Sequence, residues 1–154
     1  MDGSRPNCTT RCPSNYYASP TNRTCLFGGS CPSTPVAYFS DDTTNLCVTT
    51  CPTNYFSDST TGRCLVFCSP NFYGDYSTGV GVCVQICPSG YYRDIVTSMC
   101  ALACSPGNYI DMNSGNCTNR CPSTPVIYYG DNVTKKCLTS CPFPTYGNPL
   151  SNMC

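Results

Sequence analysis

Seventeen cysteines divide the 154-residue chain at two alternating intervals. The short interval is three residues, except between Cys25 and Cys31, where it is five. The cysteine that ends it is followed by Pro, either directly or after one Ser. A long interval of 12 to 15 residues then leads to the next cysteine. Such short-period self-similarity is typical of an array of small modules rather than one globule. The spacing predicts a lead-in, residues 1–11, with Cys8 from a preceding module, and then modules 1 to 8: residues 12–30, 31–50, 51–67, 68–86, 87–103, 104–120, 121–140 and 141–154.

The composition lacks the material for a conventional core. Leu, Ile, Val and Phe total 25 residues and Trp is absent, whereas ordering a backbone of this length costs on the order of 150–300 kcal/mol. Disulfides are the candidate replacement, because closing a loop of about 15 residues stabilises a fold by roughly 3 kcal/mol. Zinc is the alternative, but zinc sites favour two-residue spacing and usually recruit His, which this chain lacks. The cysteines therefore indicate disulfides and an oxidising, extracellular compartment.

Each module repeats one order of residue types that predicts a small β-hairpin. Aromatic residues follow the Cys-Pro step and favour an outgoing strand. An acidic residue comes two positions later in six modules and can start a turn by accepting backbone N–H bonds. Gly62, Gly79 and Gly115 supply positive φ near the return. The six acidic turn positions are Asp41, Asp58, Asp75, Asp94, Asp111 and Asp131, with Ser19 and Asn148 in the other two modules.

A hairpin places the closing cysteine of a module opposite its opening cysteine. The predicted bonds are Cys12–Cys25, Cys31–Cys47, Cys51–Cys64, Cys68–Cys83, Cys87–Cys100, Cys104–Cys117, Cys121–Cys137 and Cys141–Cys154. The rival scheme joins the close pairs, such as Cys47–Cys51, and leaves Cys154 over instead of Cys8. Sequence alone does not prove either connectivity. In the hairpin scheme Cys8 is expected to bond a cysteine outside these 154 residues.

The sequence also contains a repeat that is longer than one module. Residues 31–51 and 121–141 are 90 positions apart and identical at 12 of 21 positions, and both begin Cys-Pro-Ser-Thr-Pro-Val. Five modules therefore form one candidate larger repeat, with the duplication of two single modules as the alternative.

The segment from Cys47 through Cys51-Pro-Thr-Asn-Tyr55 to Cys64-Leu-Val-Phe-Cys68 resembles the single-disulfide modules of furin-like, growth-factor-receptor cysteine-rich domains. Unbroken runs of such modules are also similar to the cysteine-rich surface proteins of ciliates and other protists. The resemblance covers nearly the whole chain. It implies the hairpin pairing and a small disulfide-rich fold, in which eight β-finger modules form an elongated rod with little regular secondary structure.

The residue types of the chain give little support to a catalytic or metal-binding site. The chain contains no His and no Glu, and six of its eight acidic residues occupy one repeated turn position. That repetition favours a structural role, so we expect no enzyme, no catalytic residues, no cofactor and no metal site. Calcium at Asp41-Asp42 or Asp131-Asn132 is the weaker alternative, because neither pair fits an EF-hand loop.

Charge and hydropathy restrict the partners. The net charge is zero and only 10% of residues are charged, so nucleic acid is not an expected partner. The apolar runs are only a few residues long, so we expect no membrane span in this segment.

Four sequons make N-glycans the expected covalent modification: Asn7, Asn22, Asn116 and Asn132. Asn22 and Asn132 lie at predicted finger tips and rank ahead of Asn7 and Asn116, which adjoin cysteines. The Ser and Thr content also permits O-glycans.

Together these features predict a secreted or cell-surface structural glycoprotein. Its modules would form a filament, rod or coat, with further copies of itself and glycans as partners. The alternative is a ligand-binding or spacer segment of a receptor-like ectodomain. A binding module should interrupt its repeat with a patch of exposed apolar or charged residues, whereas a structural array should not.

Overall fold

The computed structural model describes residues 11–28 and 31–154. Two compact units divide this part of the chain. The first contains the described residues up to Phe67 together with Val80–Val82, and the second contains Cys68–Gly79 and Cys83–Cys154. Modules 1 to 3 thus belong to the first unit and modules 5 to 8 to the second.

Fourteen strands of three residues each make up the regular secondary structure, and no α-helix occurs in the described residues. They are β1 (Tyr16–Ala18), β2 (Cys25–Phe27), β3 (Phe39–Asp41), β4 (Leu46–Val48), β5 (Phe56–Asp58), β6 (Arg63–Leu65), β7 (Tyr73–Asp75), β8 (Val82–Val84), β9 (Tyr92–Asp94), β10 (Met99–Ala101), β11 (Tyr109–Asp111), β12 (Asn116–Thr118), β13 (Tyr129–Asp131) and β14 (Lys136–Leu138). Module 8 contains only isolated bridges, which join Met153 to Asn148 and to Gly130.

The first turn of a typical module follows the Cys-Pro step. In module 3 the amide of Tyr55 donates to the carbonyl of Pro52 at 3.0 Å, and Asn54 between them has a φ of 69°. Asn tolerates this left-handed conformation better than most side chains, and Gly adopts it freely. The equivalent residues of modules 1, 4, 5 and 6 also have positive φ: Asn15, Asn71, Gly90 and Gly107.

The second turn forms the finger tip, and a buried aspartate organises it. In module 2 the carboxylate of Asp41 accepts bonds from the amide and hydroxyl of Thr43 at 2.9 and 2.8 Å and from the hydroxyl of Thr44 at 2.6 Å. The amide of Asn45 donates back to the carbonyl of Asp41 at 2.8 Å, and Asn45 has a φ of 58°. The predicted turn role of Asp is thus realised through side-chain and backbone bonds together.

Glycine was expected at the left-handed position of the return, and Gly62, Gly79 and Gly115 have φ values of 66°, 83° and 71°. Other side chains take this conformation in the remaining modules: Arg23, Asn45, Ser98, Lys135 and Asn152. The amides of Arg23, Asn45, Lys135 and Asn152 each donate to the carbonyl four residues earlier, at the start of the tip. These bonds help to hold the four residues in a region that costs L-residues energy.

Eight disulfides close the modules: Cys12–Cys25, Cys31–Cys47, Cys51–Cys64, Cys68–Cys83, Cys87–Cys100, Cys104–Cys117, Cys121–Cys137 and Cys141–Cys154. These are the eight pairs of the hairpin scheme, and none joins a close pair such as Cys47–Cys51. The predicted small disulfide-rich array of single-disulfide β-fingers is confirmed; its rod shape stays a prediction.

Strand order follows one topology inside each unit. In the first unit the order is β5-β6-β3-β4-β1-β2, and in the second it is β13-β14-β11-β12-β9-β10-β7. Within a hairpin the strands pair antiparallel, as in Ser57 opposite Cys64. Between modules the outgoing strand pairs in parallel with the return strand of the next module, as in Ser40 opposite Arg63. Each outgoing strand therefore pairs with its own return strand along one edge and with the next module along the other.

The core consists mainly of cysteines, aromatic residues and tip residues, and Ile110 is its one buried aliphatic residue among the described residues. Cystine sulfurs and a few rings are buried together with the six tip aspartates, of which Asp58 has 0% of its surface exposed. No buried side-chain nitrogen or oxygen of the described residues lacks a hydrogen-bond partner. Polar burial is therefore compensated throughout these modules.

Candidate functional site: the joints between modules

One main-chain hydrogen bond recurs wherever two modules pair. The residue opposite the closing cysteine donates its amide to a carbonyl at the end of the next tip turn, and in every joint but the one at Gly81 that carbonyl belongs to the left-handed residue. In the first unit the bonds are Ala18 to Asn45, Ser40 to Gly62 and Ser57 to Gly81; in the second they are Gly74 to Ser98, Arg93 to Gly115, Ile110 to Lys135 and Gly130 to Asn152, all at 2.8 to 2.9 Å. The tip turn thus both reverses the chain and presents the acceptor that holds the preceding module.

The aromatic residue before that donor packs onto the next module. Tyr109 forms a buried cluster with Cys121 and Cys137, the disulfide of module 7. A Cβ placed on Gly130 would lie 3.1 Å from Cε1 and Cε2 of Tyr109, and one on Gly147 would lie 2.6 Å from Cε1 of Tyr129. The ring of each of these modules therefore covers the centre of the following one, where glycine leaves room for it.

The phenol groups extend this contact to the tip of the next module. Tyr109 donates its hydroxyl to Oδ1 of Asn132 at 2.7 Å, and Tyr17 donates to Asp42. In both cases the acceptor is the residue directly after the turn aspartate. At each such joint the apolar ring of Tyr packs on the next module, and its hydroxyl forms a hydrogen bond with the tip of that module.

Module 3 adds a cation to the joint between modules 1 and 2. Nη2 of Arg63 lies 2.9 Å from Oδ1 of Asp42 and 3.1 Å from the hydroxyl of Tyr17. Burial of Tyr17 raises its pKa above the ordinary 10.0, the bond to Asp42 and that carboxylate's charge raise it further, and the Arg63 charge lowers it in part. Sequence reasoning missed this cluster, because Tyr17 and Arg63 are 46 residues apart.

The tip aspartates have environments that suit a structural role. Burial of Asp94 acts to raise its pKa, but the Ser105 hydroxyl and the amides of Val96 and Ser105 donate to the carboxylate and leave the pKa lowered. At Asp131 the hydroxyl and amide of Thr134 are the leading causes of a lowered pKa. Because hydrogen bonds stabilise the charged forms, these carboxylates are weak bases.

In both pairs that were candidates for calcium, Asp41-Asp42 and Asp131-Asn132, the two side chains have different hydrogen-bond partners. Asp41 uses both carboxylate oxygens on Thr43 and Thr44 of its own tip. Asp42 faces Arg63, and Asn132 receives the Tyr109 hydroxyl. Among residues 11–28 and 31–154, no group of three His, Cys, Asp or Glu side chains could hold a metal ion.

The three sequons within the described residues occupy two different settings. Asn22 is exposed at the tip of module 1, where its Oδ1 accepts bonds from the amide and hydroxyl of Thr24 at 3.2 and 2.6 Å. Asn132 is exposed at the tip of module 7, and Asn116 is half-buried in β12. Asn7 lies outside the described residues, as does Cys8. Exposure thus favours the two tip asparagines that the sequence ranked first, while glycosylation itself stays a prediction.

The short connections between cysteines differ in polarity along the chain. Three successive connections are apolar and exposed, with Phe67 at 76%, Ile86 at 78% and Leu102 at 67% of their surface accessible. The connections 48–50, 118–120 and 138–140 consist mostly of Thr, Ser, Asn and Arg. The repeat is therefore regular in its backbone but not in its surface.

No helix in residues 11–28 and 31–154 is long and apolar enough to cross a membrane. Comparison of the chain with protein-family models, with curated proteins and with solved structures gave no match.

Proposed function

We propose that the chain is a structural element of an extracellular or cell-surface assembly, and that its modules form a filament, rod or coat. One observation carries the proposal: the same main-chain bond joins successive modules in both units, whichever side chains surround it. A joint of this kind adds modules through backbone atoms that every residue except proline provides. The stability of such an array is a sum of module and nearest-neighbour terms, which suits a scaffold.

The cystines support the proposed extracellular or cell-surface location. Eight disulfides persist in an oxidising environment and are rare in the cytosol. Exposed Asn22 and Asn132 are the proposed glycan sites, and the family resemblance to furin-like and protist surface modules agrees with a surface role. We propose no enzymatic activity, because the buried carboxylates are bound within their own tips or joints.

Electron microscopy of the native, non-reduced material tests the structural role. Filaments or a continuous coat are expected, and reduction with dithiothreitol should abolish them if the modules are held by disulfides. Isolated particles in the native material would overturn the proposal. Peptide mapping of the same material should find glycans on Asn22 and Asn132, with an enzymatically deglycosylated sample as its control.

A receptor-like ligand-binding role is the second candidate. The exposed apolar residues Phe67, Ile86 and Leu102 favour it, because they interrupt the repeat at three successive connections. Replacing Ile86 and Leu102 by Ser would weaken binding of a ligand at these connections but leave a filament joined through backbone bonds unchanged. The Val133→Ser variant, which changes another exposed aliphatic residue, is the matched control.

A further inference from the structure

A methionine sulfur takes part in the joint between modules 5 and 6. The hydroxyl of Tyr92 in module 5 donates to Sδ of Met112 in module 6 at 3.4 Å. Met112 directly follows the turn residue Asp111. The next amide along the chain, that of Arg93, donates to the carbonyl of Gly115 at 2.9 Å and forms the main-chain bond of the same joint. The side-chain contact and the main-chain bond therefore hold the same two modules.

Two other joints have an oxygen atom at the position of this sulfur. The hydroxyl of Tyr109 donates to Oδ1 of Asn132 at 2.7 Å. The hydroxyl of Tyr17 donates to Oδ1 of Asp42. Because a thioether is a weak acceptor and amide and carboxylate oxygens are stronger ones, the joint at Met112 has the weakest phenol acceptor of the three.

Solvent reaches Met112 more readily than the other methionines of the described residues. Its exposed fraction is 58%, whereas Met99 and Met153 are half-buried. Met153 also packs against the buried cluster that contains Tyr109. A dissolved oxidant should therefore react with Met112 before it reacts with Met99 or Met153.

We propose that Met112 is an oxidation site, and that a hydroperoxide converts it to a sulfoxide that strengthens the joint between modules 5 and 6. The sulfur attacks one peroxide oxygen with a lone pair, so that the S–O bond forms as the O–O bond breaks and the sulfur loses two electrons. With hydrogen peroxide, the departing hydroxide takes the proton from the new oxygen and leaves as water. The sulfoxide oxygen is the kind of acceptor that Asp42 and Asn132 provide in their joints.

The surroundings of Met112 determine the direction of the effect. Oxidation of methionine disrupts apolar cores, because it makes an apolar side chain polar. Met112 is exposed instead, and its sulfur already receives a hydroxyl donor. The oxidised side chain therefore loses little packing and gains a stronger hydrogen bond. This joint lies within the single chain, so its response is the same whether the chain belongs to a filament or to a receptor-like ectodomain.

Hydrogen exchange of the Arg93 amide, followed by NMR in the disulfide-bonded protein, measures the opening of this joint. Hydrogen peroxide should slow that exchange about fivefold, the effect of one additional net hydrogen bond, once peptide mass spectrometry finds the added oxygen on Met112. Methionine sulfoxide reductases should restore the original rate. The amide of Ala18, which forms the corresponding bond between modules 1 and 2, is the internal reference and should keep its rate.

Three variants isolate the phenol contact from other effects of peroxide. Met112→Leu removes the sulfur, so peroxide should no longer change the Arg93 rate. Tyr92→Phe keeps the ring without the donor, so oxidation of Met112 should no longer slow the exchange. Met112→Asp supplies an oxygen acceptor as Asp42 does, and it should slow the Arg93 exchange without peroxide.

Oxidation of Met99 or Met153 ahead of Met112 would overturn the assignment of the site. An Arg93 rate that stays the same or rises when Met112 is oxidised would show that the sulfoxide does not strengthen the joint. An equal slowing in Tyr92→Phe would show that the phenol is not the donor. Isolated particles in the electron microscope would refute the structural role alone, because the exchange of Arg93 is measured on the single chain.

Discussion

Asp94 tests most directly whether buried tip carboxylates hold the modules together. Oδ1 accepts the amide of Val96 at 3.0 Å, and Oδ2 accepts the amide and hydroxyl of Ser105 at 2.9 and 2.5 Å. Ser105 belongs to module 6, so one carboxylate stabilises its own tip and the start of the next module. Asp94→Ala removes all three acceptor contacts.

The size of the effect follows from the charge of the acceptor. A hydrogen bond to a charged group contributes about 1.5–3 kcal/mol, and the lowered pKa of Asp94 keeps its carboxylate charged at neutral pH. Water can reach a truncated tip and replace part of the loss, so we expect about 3 kcal/mol instead of the full sum of three bonds. This free energy corresponds to a roughly 100-fold increase in local opening.

Hydrogen exchange of the oxidised protein at neutral pH measures that opening. The amides of β9 and β10 should exchange about 100-fold faster in Asp94→Ala, while those of β1 and β2 should keep their rates, because stability in an array is local. Asn113→Ala, a change at an exposed position of the next tip, is the matched control. Unchanged β9 and β10 rates would refute the role of the carboxylate, and equal losses in β1 and β2 would refute locality.

Three further predictions concern titration and connectivity. Because the pKa of Asp131 is lowered, its stabilising effect is complete above the ordinary value of 3.8 and is lost as the pH falls through the folded-state value. Hydrogen exchange at the module 7 tip should therefore accelerate reversibly on acidification. A rate that does not depend on pH, after correction for intrinsic exchange, would contradict this. Titration followed by ultraviolet absorbance should place the pKa of Tyr17 above 10.0, and Asp42→Asn should lower that pKa only in part, because burial is the largest cause of the shift. A full return of the pKa to 10.0 in Asp42→Asn would show instead that the carboxylate is the main cause. Non-reducing peptide mapping should recover Cys51 linked to Cys64, and recovery of Cys47 linked to Cys51 would refute the finger fold.

The sequence predicts the modules well because their determinants are local. The cysteine spacing identifies each hairpin, and the repeated Asp marks each tip, since a turn needs a side chain that can accept nearby amides. Lys135 and Ser98 could not be assigned to left-handed positions, because neither residue type favours them and the surrounding bonds impose the conformation.

The main-chain pairing at the joints was beyond the reach of sequence reasoning. A backbone amide and a backbone carbonyl leave no trace in residue type, so the parallel pairing of Ser40 with Arg63 carries no pattern. The Tyr17–Asp42–Arg63 cluster joins side chains of three modules and becomes visible only once their register is known. The aromatic position was recognised, but the sequence did not show that Tyr146 differs from Tyr109 in exposure.

The main-chain joint has a consequence for how such chains evolve. Its donor is the amide of Ala18, Arg93 or Ile110 in different modules, and the bond is the same in each. A duplicated or deleted module therefore meets a matching backbone donor or acceptor at the new junction, whatever its side chains. The identity of residues 31–51 and 121–141 at 12 of 21 positions is the kind of trace that copying of blocks leaves. Proline alone is barred from the donor position, since it has no amide hydrogen.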